Sequence, residues 1–142
     1  MSRSRRRDIL LLCADLLRRL HDAGFLHADL NVSNLVMERG PSGETLHVVD
    51  LDRGQFRHVL RSEERLANLA RLLRSYEKWI AGSVRLSPRE EATFLRCYVG
   101  HDRELARFLA KRLTRYRSRL GLRRIRWRLG SLSKDRLAGP LQ

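Results

Sequence analysis

Cysteine is scarce in this sequence, and no stretch is long and apolar enough to cross a membrane as a helix. The 142 residues include two cysteines, Cys13 and Cys97, which are too few for a disulfide framework and fit a reducing cytosol. A membrane-spanning helix needs ~18 apolar residues in a row, whereas Asp15 and Arg18 interrupt the apolar stretch behind the basic N-terminus. Because no small-residue cleavage site follows, we expect no export signal. We therefore expect neither a transmembrane protein, nor a secreted disulfide-rich protein, nor a zinc finger.

Lysine is also scarce, although the chain is strongly basic. Of 30 Lys and Arg residues only Lys78, Lys111 and Lys134 are lysine, and 16 acidic residues leave a net charge of +14. The excess is uneven: residues 1–50 are neutral, whereas residues 103–142 hold 13 basic side chains against two acidic ones. This charge favours an anionic partner, which could be nucleic acid, an acidic membrane face or a phosphorylated substrate.

Hydrophobic spacing predicts a mainly helical chain with one hairpin. We expect a helix over residues 8–24, capped by Asp8 and ended by Gly24. Two short strands, residues 35–37 and 46–49, flank the turn sequence Gly-Pro-Ser-Gly and predict a β-hairpin.

The second half of the chain is predicted to form a series of helices within residues 62–120. Ser87 with Pro88 and Glu90 has the pattern of a capping box, and Asp102 is placed to cap a further helix. Residues 121–142 form a basic tail, in which residues 122–132 fit either a helix face or a strand. We expect all of these parts to belong to a single domain.

The chemically informative part of the chain runs from His27 to the glycine at position 54. It contains His27, Asp29 and Asn34 in a polar loop, the hairpin, and then Asp50 and Asp52. Phosphoryl transfer needs a carboxylate that positions the attacking hydroxyl and hard oxygen ligands that hold Mg²⁺ on the nucleotide phosphates. Because the hairpin returns the chain, residues that lie far apart in sequence can meet and serve both needs.

Three stretches together resemble the lipopolysaccharide-core sugar kinases, which include the Kdo (3-deoxy-D-manno-octulosonic acid) kinases. They are residues 20–34, residues 49–54, and residues 68–75 followed by Lys78. The resemblance implies an α+β fold, mainly α: the C-terminal lobe of a protein-kinase-like fold, in which a short β-hairpin bears the catalytic and metal loops.

The resemblance also implies roles for individual residues, with ATP and Mg²⁺ as cofactors and a lipopolysaccharide-core sugar lipid as acceptor. Asp29 becomes the catalytic base that orients the hydroxyl, and Asn34 and Asp50 become the Mg²⁺ ligands. Three residues have supporting roles: His27 packs beneath the loop, Asn31 hydrogen-bonds the acceptor or the loop backbone, and Asp52 joins the outer shell of the metal.

One part of a complete kinase is missing from the sequence. An N-terminal nucleotide lobe carries a Gly-rich loop and a strand lysine, but Asp29 leaves no room for it upstream and Lys78 is the first lysine. We favour a truncated gene or misplaced start over a domain that works with a lobe supplied by another chain. From the isolated chain we expect weak nucleotide binding and very slow turnover.

An arginine-rich segment follows the expected helices, with Tyr116 and Trp127 interleaved. Its arginines are Arg115, Arg117, Arg119, Arg123, Arg124, Arg126 and Arg128. They could form a solvated helix face, bind nucleic acid, or attract an anionic membrane. We favour the membrane, because the kinase resemblance supplies an anionic lipid substrate, and expect a cytoplasmic protein peripheral to the inner membrane. The alternative function is a non-catalytic basic module that binds membrane or nucleic acid.

Histidines outside the loop share no spacing typical of metal ligands. His21, His47, His58 and His101 are scattered along the chain, so we expect them to be surface or partly buried residues and not a zinc site.

Overall fold

The computed structural model describes residues 2–41, 43–79, 86–113 and 115. Its elements in chain order are α1 (Arg3–Asp22), β1 (Phe25–Leu26), β2 (Leu35–Gly40), β3 (Gly43–Val48), β4 (Gln55–Phe56), α2 (Ser62–Trp79) and α3 (Pro88–Val99). Residues 103–113 are also helical. The chain divides into two compact units between Ala106 and Arg107, and the loops of interest lie in the first. The predicted α+β, mainly helical class is confirmed, whereas the single domain stays a prediction.

Helix α1 begins five residues before the predicted start at Asp8, so the expected cap is wrong. Ser2 is the N-cap, and its hydroxyl accepts a hydrogen bond from the backbone N–H of Arg5. The Arg5 side chain forms an ion pair with Glu44 on β3. This partner lies 39 positions away in sequence, so the pairing leaves no local sign around Arg5. The predicted end is correct, since Gly24 follows α1 with a φ of 79°.

Helix α3 packs against α1, and an ion pair joins the two. The predicted capping box is present: the Ser87 hydroxyl accepts from the N–H of Glu90, and the Glu90 carboxylate accepts from the N–H of Ser87. The same carboxylate pairs with Arg6 on α1, and this guanidinium lowers the pKa of Glu90 to about 2. Asp102 likewise accepts from the N–H of Leu105, as its predicted capping role requires.

Two pairs of antiparallel strands shape the region between α1 and α2. The predicted hairpin is confirmed as β2 and β3, in register from Leu35 opposite Val48 to Gly40 opposite Gly43. The second pair, β1 with β4, was not predicted, because strands of two residues carry no periodicity. Next to it, the N–H of Arg57 donates to the carbonyl oxygen of Gly24 at 2.8 Å. The chain on either side of the hairpin is thereby joined to the end of α1.

A chain of buried hydrogen bonds connects α3, α1 and α2. His21 is 1% exposed, so the expectation of a surface or partly buried residue is wrong. Its Nδ1 lies 2.6 Å from the Tyr98 hydroxyl, and its Nε2 lies 3.0 Å from Oδ1 of Asn68. Because Oδ1 can only accept, Nε2 carries the proton and Nδ1 accepts from Tyr98. Asn68 extends this series of hydrogen bonds, because its Nδ2 donates to the carbonyl oxygen of His27 at 2.7 Å.

The burial of Tyr98 and His21 favours donation from the Tyr98 hydroxyl to Nδ1 of His21. Burial raises the pKa of the Tyr98 hydroxyl to about 12, so it stays protonated and able to donate. Burial lowers the pKa of His21, so the imidazole stays neutral and its Nδ1 can accept. A buried polar group without a partner destabilises a fold, and here the members satisfy one another. His27, which begins the loop that carries Asp29, is therefore attached to the core.

Among the described residues, no helix has the length and apolar character needed to span a membrane. The first of the helices predicted within residues 62–120 is α2, which ends at Trp79; residues 80–85 lie outside the described residues. The basic tail, residues 121–142, lies outside them as well, and so does the ambiguous segment at 122–132.

We predict that Gly24→Ala destabilises the protein more than Gly43→Ala does. Both glycines have positive φ, 79° and 120°, so either substitution strains the backbone. At Gly24 the added Cβ would also overlap the carbonyl oxygen of Arg57, whereas at Gly43 no atom lies within 4 Å. We expect Gly24→Ala to lower the free energy of unfolding by about 1–3 kcal/mol beyond the control. Urea unfolding followed by circular dichroism measures the difference, and equal losses would contradict it.

We also predict that His21 makes the protein less stable as the pH falls. Because burial lowers its pKa below 6.5, the unfolded state takes up a proton first, and the free energy of unfolding falls from about pH 7 toward about pH 5. His21→Asn should flatten this slope, because the titrating group is gone. The matched control is His101→Asn at an exposed position. Urea unfolding at a series of pH values measures both, and identical slopes for wild type and His21→Asn would refute the prediction.

Candidate active site

The loop between β1 and β2 is rigid because its own side chains bind its backbone. Asn31 caps a short 3-10 turn, Val32–Asn34, and its Oδ1 accepts hydrogen bonds from the N–H groups of Ser33 and Asn34 at 2.9 and 3.2 Å. Its Nδ2 donates to the carbonyl oxygen of Asp29 at 3.1 Å and lies 3.3 Å from the Asp29 carboxylate. Of the two partners predicted for Asn31, the structure shows the loop backbone.

His27 lies beneath this loop and connects it to the segment after β3. It is 3% exposed, and its Nδ1 accepts a hydrogen bond from the N–H of Asp29 at 3.2 Å. Its Nε2 lies 3.1 Å from the carbonyl oxygen of Val49. Since a carbonyl can only accept, these partners assign the proton to Nε2. One imidazole therefore fixes the backbone positions of Asp29 and of the residue before Asp50.

Asn34 is buried, and its side-chain amide is oriented by the loop. Its Nδ2 donates to the carbonyl oxygen of Asp29 at 3.0 Å. Its Oδ1 therefore points away from that hydrogen bond. No described residue donates a hydrogen bond to that Oδ1. Its main-chain carbonyl accepts from the N–H of Val49 at 2.9 Å, which brings the metal loop alongside. The amide oxygen therefore remains available to a cation.

Helix α2 binds the loop at two points on one face. Asn68 donates to the carbonyl oxygen of His27, as described above, and the Ser75 hydroxyl accepts from the N–H of Val32 at 3.0 Å. The two residues are seven positions apart, which is about two helical turns, so both project from the same side of α2. The sequence resemblance includes this stretch but assigned neither residue a role. In the sequence, small polar residues at helical spacing within an otherwise apolar stripe are the signal that could identify these two residues.

The loop after β3, which contains Asp50 and Asp52, places carboxylates close together. Its backbone is strained at Asp50. Asp50 has a φ of 62°, in the left-handed region that is unfavourable for most residues other than glycine. A hydrogen bond with the Asp52 carboxyl group, together with its charge, raises the pKa of Asp50 above its ordinary value, and Asp29 adds further repulsion. Like charges gathered in this way are stabilised by a cation. Asp29 and Asp50 are exposed, so both can reach a ligand from solution.

The donor set suits Mg²⁺, which prefers oxygen ligands and usually keeps several waters or phosphate oxygens in its shell. Asn34 would supply an amide oxygen and Asp50 a carboxylate, with Asp52 close by. Within the described ranges, no group of three or more His, Cys, Asp or Glu side chains is arranged as a metal site. The predicted ligands are one amide and one carboxylate, which is not a group of that kind, and the nucleotide phosphates would complete the shell.

The predicted anion-binding surface falls almost entirely outside the described residues. Arg115 is described and exposed, whereas the other six lie beyond that part of the chain: Arg117, Arg119, Arg123, Arg124, Arg126 and Arg128. The surface as a whole stays a prediction.

Comparisons with known proteins bear on the fold and on the family of this chain. The curated proteins give no match. Among solved structures, "WaaP in complex with acyl carrier protein" matches with a TM-score of 0.56 and 22% identity, over 78% of this chain and 48% of that one. This likeness shows the fold, and the chain spans about half the length of that protein. The profile of the Lipopolysaccharide kinase (Kdo/WaaP) family matches residues 1–98, and so this chain belongs to that family.

Proposed function

We propose that this chain is the catalytic lobe of an ATP-dependent kinase that phosphorylates a sugar hydroxyl of a lipid A–Kdo or other lipopolysaccharide-core acceptor. The observation that carries the proposal is the pair of hydrogen bonds made by His27, to the N–H of Asp29 and the carbonyl of Val49. They hold a candidate base and the candidate metal ligands in adjacent loops. Membership of the family supports the class of reaction.

Each site residue has one task in the proposed reaction. Asp29 accepts a hydrogen bond from the sugar hydroxyl, orients its oxygen toward the γ-phosphorus of ATP and takes its proton. The sugar oxygen forms the new bond to phosphorus as the bond from the γ-phosphorus to the bridging oxygen breaks, and ADP leaves. Asn34 and Asp50 would hold Mg²⁺, which neutralises charge on the nucleotide phosphates when bound.

Exposed apolar side chains on the hairpin mark where the rest of the nucleotide site would lie. Val36 and Val49 are 46% and 41% exposed. Val36 stands opposite His47 in the hairpin, so both project from the same face, and Val49 continues that face two residues farther on. We propose that the adenine ring and a second lobe cover this face, the lobe coming from sequence upstream or from a separate chain.

The proposed acceptor also suggests where the protein works. Lipopolysaccharide precursors are anionic lipids, and the excess of arginine after residue 103 favours an anionic membrane face. We therefore place the chain on the cytoplasmic face of the inner membrane, with nucleic acid as the less favoured partner.

We predict that Asp29→Ala abolishes most of the phosphoryl transfer without unfolding the protein. Loss of a positioned base lowers kcat by roughly 10²–10⁴, and Asp29 is exposed, so its truncation leaves no cavity. The assay follows transfer of labelled γ-phosphate from ATP to a Kdo-bearing lipid A precursor, with the nucleotide lobe present. Asp8→Asn, an exposed acid on α1, is the matched control. If the Asp29 variant keeps the control's kcat, the assignment is wrong, and if the active protein transfers no phosphate to any core acceptor, the proposed function is wrong.

A further inference from the structure

The segment between the metal loop and α2, residues 53–61, exposes large apolar side chains among arginines. Phe56 is 77% exposed and Val59 is 68% exposed. The segment also contains Arg53, Arg57 and Arg61 and no acidic residue. We call these nine residues the 53–61 loop. An exposed aromatic and an exposed aliphatic side chain, three positions apart in a basic segment, are unusual for surface that faces only water.

The exposure of Phe56 is fixed by the structure around it. Phe56 pairs with Phe25 in the β1–β4 ladder, and the two rings meet edge to face with their centroids 5.0 Å apart. The next residue, Arg57, donates its N–H to the carbonyl oxygen of Gly24. Leu60 is 4% exposed and anchors the end of the loop in the core. The loop is therefore held at both ends while Phe56 and Val59 remain in solvent.

The charge of the loop is only partly neutralised. Arg57 and Arg61 share one carboxylate, that of Glu64, at 3.8 and 3.4 Å. Their side chains are 51% and 77% exposed, so both can still reach an anion. Arg53 forms no ion pair with any described residue and is exposed. Among the described residues, Glu64 is thus the one ion-pair partner of the three arginines in the loop, and it does not balance their charge.

Exposed apolar side chains flanked by arginines fit the interface of an anionic membrane. There the apolar groups enter the boundary between headgroups and acyl chains, and arginines bind phosphate oxygens. A nucleic acid would use Phe56 for stacking but has no use for Val59, an aliphatic side chain of nearly equal exposure. We propose that the 53–61 loop is a contact surface for anionic lipid, which places the headgroup of a membrane-bound acceptor beside Asp29.

Proximity to the catalytic loop follows from strand pairing. Gln55 lies opposite Leu26, which directly precedes His27, and Asp52 precedes the loop in sequence. A lipid bound through Phe56 would therefore have its polar part next to the site of phosphoryl transfer. The inference rests on the proposed function for the lipid nature of the acceptor, but the contact itself can be measured without any reaction.

Tryptophan fluorescence tests the contact directly. The chain has two tryptophans, Trp79 and Trp127, so Phe56→Trp combined with Trp79→Phe and Trp127→Phe places a single reporter in the loop. The probe is vesicles of brominated phosphatidylcholine and phosphatidylglycerol in equal amounts. We expect the emission to shift to the blue and to be quenched about two-fold or more, because bromine quenches only tryptophan that enters the bilayer. Vesicles without phosphatidylglycerol should give much less quenching.

The native Trp79 is a matched control of similar exposure. It is 70% exposed at the end of α2, and Trp127→Phe leaves it as the single reporter. We expect little quenching there, even though the arginine-rich tail can hold the chain on the same vesicles. Absence of quenching at position 56, or equal quenching at both positions, would overturn the inference. Quenching without kinase activity would leave this contact standing, whereas kinase activity without quenching would refute the contact alone.

Discussion

The geometry of the site depends on one imidazole. His27 accepts from the N–H of Asp29 with one ring nitrogen and donates to the carbonyl oxygen of Val49 with the other. A single tautomer of the ring, with its proton on Nε2, satisfies both bonds. Because the ring is buried and both partners are backbone groups, the distance between the two loops does not rely on flexible side chains. The candidate base and the candidate metal ligands are thus held in adjacent loops without a ligand, and phosphoryl transfer would need such an arrangement.

Support for His27 comes from three helices. Tyr98 on α3, His21 on α1 and Asn68 on α2 form one directed chain of hydrogen bonds that ends on the His27 carbonyl. Burial keeps Tyr98 protonated and His21 neutral, so each donor faces an acceptor. Truncating one member would leave a buried polar group unsatisfied in the next, at a cost of about 1–3 kcal/mol. The core and the catalytic loop are therefore stabilised by the same interactions.

Local sequence signals predicted the local parts of this structure. The capping box at Ser87 and the turn between β2 and β3 appear where their residue patterns place them, because each depends on neighbours within a few positions. The start of α1 was misplaced although its cap, Ser2, is local to the helix. The burial of His21 was missed because its partners lie on α2 and α3. The resemblance located the two loops, whereas the hydrogen bond from Asn68 to the His27 carbonyl is seen only in the structure.

The claim that His27 brings Asn34 and Asp50 to one cation is tested most directly by Mn²⁺, a paramagnetic substitute for Mg²⁺. In a titration followed by amide NMR, residues 29–34 and 50–52 should broaden together and before Glu63, an exposed acid at the start of α2. Asp50→Asn should abolish this order, since asparagine tolerates the positive φ but removes the charge. Joint early broadening that disappears in the variant is the predicted result. Broadening that begins elsewhere, or persists unchanged in Asp50→Asn, would contradict the claim.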